Sequence, residues 1–292
     1  MAKSKSGGTR SYLRGRIASD VYSIGRDSNG KKQQVVRSLA EQVKNPQTVA
    51  QMRGRMIMST VMQAVSALAP IIDHSFDNVP NGQPSISEFI RRNYALIKED
   101  VATHPSESYA FGLNKYQEKG IRNGKYLLSD GKAQESSFAF PSFGDGADFT
   151  LQTGKSVLNL ANLKADVLHG NNGYVTFVYI LSNHTAAFVR VHFSNTADQT
   201  AAITTENLAQ FITIDNPMGL TLKTEISGTT INVKTDANAL GSGAIFTWED
   251  GNGGWIHSKS SIGDAASYDW SADVALPTYP EGTERFLNGG EL

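Results

Sequence analysis

Residues 25–32 read Gly25-Arg26-Asp27-Ser28-Asn29-Gly30-Lys31-Lys32, which meets the G-x-x-x-x-G-K spacing of a phosphate-cradling loop. That chemistry needs a Ser or Thr after the lysine to hold magnesium, and Lys32 stands there instead. It also needs a strand that runs into a helix, because the helix N-terminal amides face the phosphate. The stretch 33–38, with Val35 and Val36, reads as a second strand. Asn29-Gly30 between two β-prone runs favours a tight hairpin, since primed turns require positive φ. Asp73-His74-Ser75-Phe76-Asp77 places acid, imidazole and hydroxyl together. Groups adjacent at a helix end do not converge on one reacting atom, and triads are assembled from distant segments. A C-terminal cap is the reading this segment supports.

Two other clusters offer ligand atoms. Asp250-Gly251-Asn252-Gly253-Gly254 carries oxygens and glycines but lacks the further acids and terminal glutamate of a calcium loop, so it reads as a hairpin turn. His184 and His192 flank a strand without a third ligand at a metal-binding spacing. Trp248 and Trp255 bracket the last hairpin; they either pair across the sheet or form a platform for a ligand such as a carbohydrate. These residues nominate no catalytic, cofactor-binding or metal site, and the expectation is a protein that is not an enzyme and carries no cofactor.

Charge gives a stronger signal. The first 60 residues hold 12 Lys/Arg against 3 Asp/Glu, and the remaining 232 hold 15 against 25, so a chain of net charge −1 is a head of +9 on a body of −10. Such a head can neutralise a polyanion or dock on an acidic protein surface. The candidate contact residues are Arg10, Arg14, Arg16, Lys31, Lys32, Arg53 and Arg55. No aromatic run accompanies them, so nothing points to base-specific recognition. Head and body of opposite sign also suit head-to-tail contacts between copies.

The elements that must carry these residues follow from periodicity. The 292 residues suffice for one large domain or two ordinary ones, and Gly is abundant at 27. The absence of cysteine excludes disulfides, thiolate metal sites and thiol catalysis. The basic start lacks an apolar run of about 7–15 residues, and the charge-free stretch 56–72 is too short and polar to span a bilayer. The reading is a protein made in the cytoplasm with no signal peptide, no transmembrane segment and no membrane partner. Residues 1–11 read as a flexible basic arm. Residues 12–107 hold a hairpin (17–26 with 31–39) and two antiparallel helices. Asn45 and Pro46 start the first helix, and Met58, Val61, Met62, Val65, Leu68, Ala69 and Ile72 form its apolar face, with Pro70 set to kink or end it. Ser85 and Glu88 form a capping box on the second, whose face is Ile86, Ile90, Tyr94, Ile97 and Val101. Residues 108–266 change to short alternating runs between Gly, Asn and Asp clusters, with a single helix at 155–168. An α+β chain ending in an antiparallel, immunoglobulin-like β-sandwich is expected. Residues 267–292 read as an irregular tail.

Arg14-Gly15-Arg16-Ile17, Asp20-Val21-Tyr22-Ser23, Val35-Val36-Arg37-Ser38 and the helix start Asn45-Pro46-Gln47-Thr48-Val49-Ala50-Gln51 together resemble the N-terminal signature of an uncharacterised family of Bacteroidetes prophages and gut phages. Residues 244–262, with Trp255-Ile256-His257-Ser258, are loosely similar to its C-terminal part. The resemblance covers chiefly the first 100 residues and carries over no functional residue. It implies a virion location and a structural role: a neck, connector, head-decoration or tail-accessory subunit that self-assembles and contacts other virion proteins. The alternative is a sequence-independent nucleic-acid-binding protein that uses the basic head.

Overall fold

A computed structural model describes residues 3–4, 13–17, 20–26, 32–38, 49–77, 79, 84–103, 126–142, 146–183 and 185–262. The expected helix start at Asn45-Pro46 and the tail 267–292 lie outside these residues. The fold is mixed and strand-rich, with several antiparallel sheets and four helices among the described residues. It divides into two compact units, Met1–Gln47 and Thr48–Leu292.

The first unit is a four-stranded antiparallel sheet in the order β1-β2-β3-β4, built from Lys3–Ser4, Leu13–Ile17, Asp20–Arg26 and Lys32–Ser38. Gly25 pairs with Gln33 and Arg26 with Lys32, so the segment resembling a phosphate loop connects two strands and opens no helix. Lys3 and Ser4 pair with Arg14 and Leu13, which corrects the reading of 1–11 as wholly a flexible arm: extended backbone in that stretch adds an edge to the sheet.

The second unit begins with α1 (Val49–Ile72) and α2 (Ser85–Thr103), then β5 (Leu127–Ser129), β6 (Ala139–Pro141), β7 (Phe149–Gln152), α3 (Leu160–Val167), β8 (Gly173–Leu181), β9 (Ala186–Phe193) and α4 (Leu208–Phe211). Strands β10 (Ile212–Asp215), β11 (Leu222–Ser227), β12 (Thr230–Thr235), β13 (Ala239–Glu249), β14 (Trp255–His257) and β15 (Ser260–Ser261) complete it. The strands fall close to where the alternating runs put them. Asn159 caps α3 with a side-chain oxygen that accepts from the Asn162 N–H at 2.8 Å.

A five-stranded sheet, β10-β9-β8-β13-β14, stands at the centre. One face packs on the four-stranded sheet β11-β12-β7-β6: Phe149 of β7 stacks on Phe177 of β8 at 4.4 Å between centroids, and Val175, Tyr179, Val189, Val191, Ile231 and Val233 close the same core together with Leu160 and Leu163 of α3. The opposite face carries Val178, Ile180, Phe188 and Ile245, which α1, α2 and β5 cover with Val61, Leu68, Ile72, Phe89 and Leu128. The helices therefore share a core with the sheets, and residues 48–107 belong with the β-rich body. The expected boundary near residue 108 moves to 47/48, because burial on both faces of the sheet ties the helices to it.

Three local readings change with it. The buried stripe of α1 is Ile57, Val61, Ala64, Val65, Leu68, Ile71 and Ile72, while Met58 and Met62 are exposed, so the apolar face is rotated from the one read in the sequence. Pro70 sits within α1, two residues before its end, without breaking it. Ser85 is the first residue inside α2, and Glu88, buried, takes Arg91 and Arg92 as partners in place of a capping role. Hydrogen bonds from Arg91 and then Arg92 hold its carboxyl down at about 2.

Candidate functional site

The seven basic candidates are divided between the units. Arg10 and Lys31 lie outside the described residues. Arg14 and Arg16 fall in β2 and Lys32 in β4, while Arg53 and Arg55 fall in α1 of the body. Within the first sheet Arg14 is opposite Lys3, Lys32 is opposite Arg26, and Arg16, Val21 and Arg37 form one cross-strand row. Strand alternation gives positions 14 and 16 the same face. The sheet thus gathers six cationic positions from segments up to 34 residues apart, and Arg37 was not among those read from the sequence.

A polar seam joins α1, β5 and β14 in the body. The Asp77 carboxylate meets His257 Nδ1 at 2.7 Å and accepts the His257 backbone N–H at 2.9 Å. Ser75 donates its hydroxyl to the Leu128 carbonyl at 2.7 Å, and Ser129 donates to the Ser258 carbonyl at 2.7 Å. Fully buried Asn93 of α2 donates to the Leu127 carbonyl at 3.0 Å and accepts the Leu127 N–H at 2.8 Å, so its amide pairs with β5 as a neighbouring strand would. A Cβ at Gly131 would collide with the His257 carbonyl and the Asp77 carboxylate, which is why the chain can pass there only without a side chain. The Ser258 hydroxyl is 2.5 Å from that of Ser260 and accepts the Phe246 N–H at 3.0 Å. With its imidazole and hydroxyls spent on one another and on the backbone, the seam acts as a joint. The cap reading of 73–77 holds for Asp73, whose N–H reaches the Ala69 carbonyl, but Asp77 acts across 180 residues of chain.

One end of the central sheet gathers rings. Tyr174 pairs in register with His192, their rings 4.9 Å apart, and Trp255 lies 5.5 Å from Tyr174. Trp255 is 49% exposed, whereas Trp248 is 7% exposed and packs in the core. The two tryptophans are one register position apart and so take opposite faces, and their pairing as a platform is corrected on that ground. At the same end of the sheet, on the side to which Trp248 and Ile256 turn, a cleft of about 470 Å³ is lined by Asn171, Asn172, Trp248, Glu249, Asp250 and Ile256. Its walls are tied down: Lys164 Nζ donates to Asn172 at 3.2 Å and to Asn195 at 2.8 Å, and Asn171 donates to the Leu168 carbonyl at 3.0 Å. Burial pushes the Lys164 ammonium down, and burial likewise lowers His192. The 250–254 segment is a turn in which Asp250 Oδ1 accepts the N–H groups of Asn252 and Gly254, and Gly251 and Gly253 take positive φ. No group of His, Cys, Asp or Glu among the described residues is arranged to hold a metal ion.

The sequence reading named His192 only as a lone histidine beside a strand, and missed Tyr174, its ring contact with His192 and the Asp77–His257 pair. Each depends on register or on closure between segments far apart in the chain, which no spacing reveals. No helix among the described residues is long and apolar enough to cross a membrane. Comparison with protein-family models, with curated proteins and with solved structures finds no match to this chain.

Proposed function

We propose that this protein is a non-enzymatic structural or assembly component of a phage virion, a neck, connector, head-decoration or tail-accessory subunit, whose N-terminal sheet docks on another copy or on a neighbouring virion protein. The observation that carries this reading is the exposure of the N-terminal sheet: among residues 20–25 and 33–38 no side chain is buried, and the adjacent residues Val35 and Val36 are 37% and 51% exposed. Neighbours in a strand face opposite ways, so both faces of β4 lie open. A sheet of this kind gains its hydrophobic stabilisation when a partner covers it, and β4 stands at the edge of the sheet, where strand addition takes place. The acidic body supplies charge complementarity for that contact. Its two stacked sheets are read as an immunoglobulin-like sandwich, a framework found in many assembly proteins. Light scattering on nuclease-treated protein at low and high salt tests the proposal. A discrete oligomer that persists in high salt and is lost in Val36→Asp is expected; a monomer under every condition refutes it.

The grouping of Lys3, Arg14, Arg16, Arg26, Lys32 and Arg37 on one sheet favours a second reading, sequence-independent binding of nucleic acid. In that case the affinity falls steeply with salt, by about 0.9 in log K per phosphate neutralised. Replacing Arg14 and Arg16 together by Gln then flattens the slope by about two such contacts, and an unchanged slope removes the reading.

A further inference from the structure

Pairing gives the N-terminal sheet two unlike faces. Residues opposite one another in the register share a face, and neighbours along a strand take opposite ones. One face therefore holds the positions of Lys3, Arg14, Arg16, Val21, Val35 and Arg37, with no acid among its described positions. The other holds those of Leu13, Ile17, Tyr22, Ile24 and Val36, with Asp20 toward one end and Arg26 and Lys32 at the other. Of the two outer strands β1 is two residues long and β4 seven, so β4 is the edge that can accept a strand of useful length. Val35 and Val36, one on each face, are both exposed along it.

A segment of the same chain has the matching pattern. Residues 263–292, outside the described residues, carry six acids against Arg285 alone, which is half of the net −10 of residues 61–292. This stretch reads as an irregular tail when taken alone, yet one part of it is regular. Tyr268, Trp270, Ala272, Val274 and Leu276 occupy alternate positions, and Asp269, Ser271 and Asp273 stand between the first four, ahead of Pro277. Alternation of period two is the pattern of a strand with one apolar and one polar face. Laid along β4, such a strand brings Tyr268, Trp270 and Val274 to the face of Tyr22, Ile24 and Val36, and Asp269 and Asp273 to the face of Arg16 and Arg37. A slip of one residue would put the carboxylates on the apolar face and the rings among the arginines, so the match specifies register as well as partner. Salt screens the ionic half of this contact but not the apolar half, which lets it outlast high salt.

We propose that residues 268–276 of one copy add to β4 of the next, extending its N-terminal sheet and joining subunits head to tail. The inference rests on the assembly reading and names the segment that the docking sheet receives. Light scattering on full-length variants tests it. Trp270→Asp should lower the oligomeric mass as Val36→Asp does, weakening self-association by about thirtyfold, the effect of losing a buried tryptophan anchor. An equimolar mixture of the two variants should then form a dimer that grows no further, because each pair keeps only one intact head and one intact tail. An oligomer that survives Trp270→Asp, or two dissociated variants that fail to complement, overturns the inference and leaves the assembly reading standing. An unaltered protein that is monomeric under every condition refutes both. If Trp270→Asp fails to fold, a synthetic peptide of residues 266–278 decides. It should disperse the unaltered oligomer, whereas a peptide of the same composition, reordered to break the alternation, should not; equal effects, or none, refute the inference.

Discussion

The N-terminal sheet and the central sheet of the body are both antiparallel and nearly equal in strand number, yet they differ in what covers them. Strand β8 is buried at seven successive positions, Val175 to Leu181, because a sheet lies on one side and helices on the other. In the N-terminal sheet Val21, Tyr22 and Ile24 are partly buried, and Val35 and Val36 are exposed. Backbone pairing is comparable in the two, and net hydrogen-bond gains are modest in water. Coverage separates them: each large side chain taken out of water adds about 1.5–3 kcal/mol, and the N-terminal sheet collects little of this by itself. A sheet becomes self-sufficient through what packs on it, and none of the described side chains of the N-terminal sheet is buried in that way.

Substitutions can sharpen that contrast. Phe177→Ala, which removes half of the stacked pair between the two sheets, should cost about 3–5 kcal/mol in a denaturant titration. Asn93→Ala should cost about 2–3 kcal/mol, because the Leu127 N–H and carbonyl lose their partner in a buried place. Glu88 sets an acid limb. Its folded pKa of about 2 lies below the ordinary glutamate value of 4.5, so its contribution is complete above pH 4.5 and disappears as pH falls toward 2. Glu88→Gln should therefore flatten the loss of melting temperature over that window and leave neutral pH less changed. Val36→Ser closes the series with a change under about 0.5 kcal/mol in the isolated chain, while weakening self-association. A large destabilisation by Val36→Ser would break the comparison, since it would mean the strand is covered within its own chain.

Much of this architecture was legible. Alternation located the strands of the body with bounds off by up to four residues, Ile231 and Val233 facing inward while Lys234 faces out, and steps of three and four placed α1 and α2. The failures share a cause. The face of α1 was rotated because Met58 and Met62 are as apolar as Ile57 and Ile71, and only the sheet beneath decides which are covered. The domain boundary was misplaced because a change of periodicity marks where one element type ends, not where a core ends. Trp248 and Trp255 were paired by proximity in sequence, although the strands they occupy turn them to opposite faces. The contact between Tyr174 and His192 was missed because it depends on a strand register between positions 18 apart in the chain. The basic residues were readable as a cluster in sequence, but their rows across the N-terminal sheet were not.

The position of β13 has a consequence for how the protein comes into being. It fills the place between β8 and β14, so the central sheet has a gap until residues 239–249 have been synthesised. The strand pairs of the N-terminal sheet need nothing beyond residue 38. At translation rates of about 5–20 residues per second, roughly 10–40 s separate the two events on the ribosome. Throughout that interval each nascent chain displays a finished, cationic sheet ahead of an unfinished body whose apolar strands need shelter. The head can thus be complete on the polysome before the body exists.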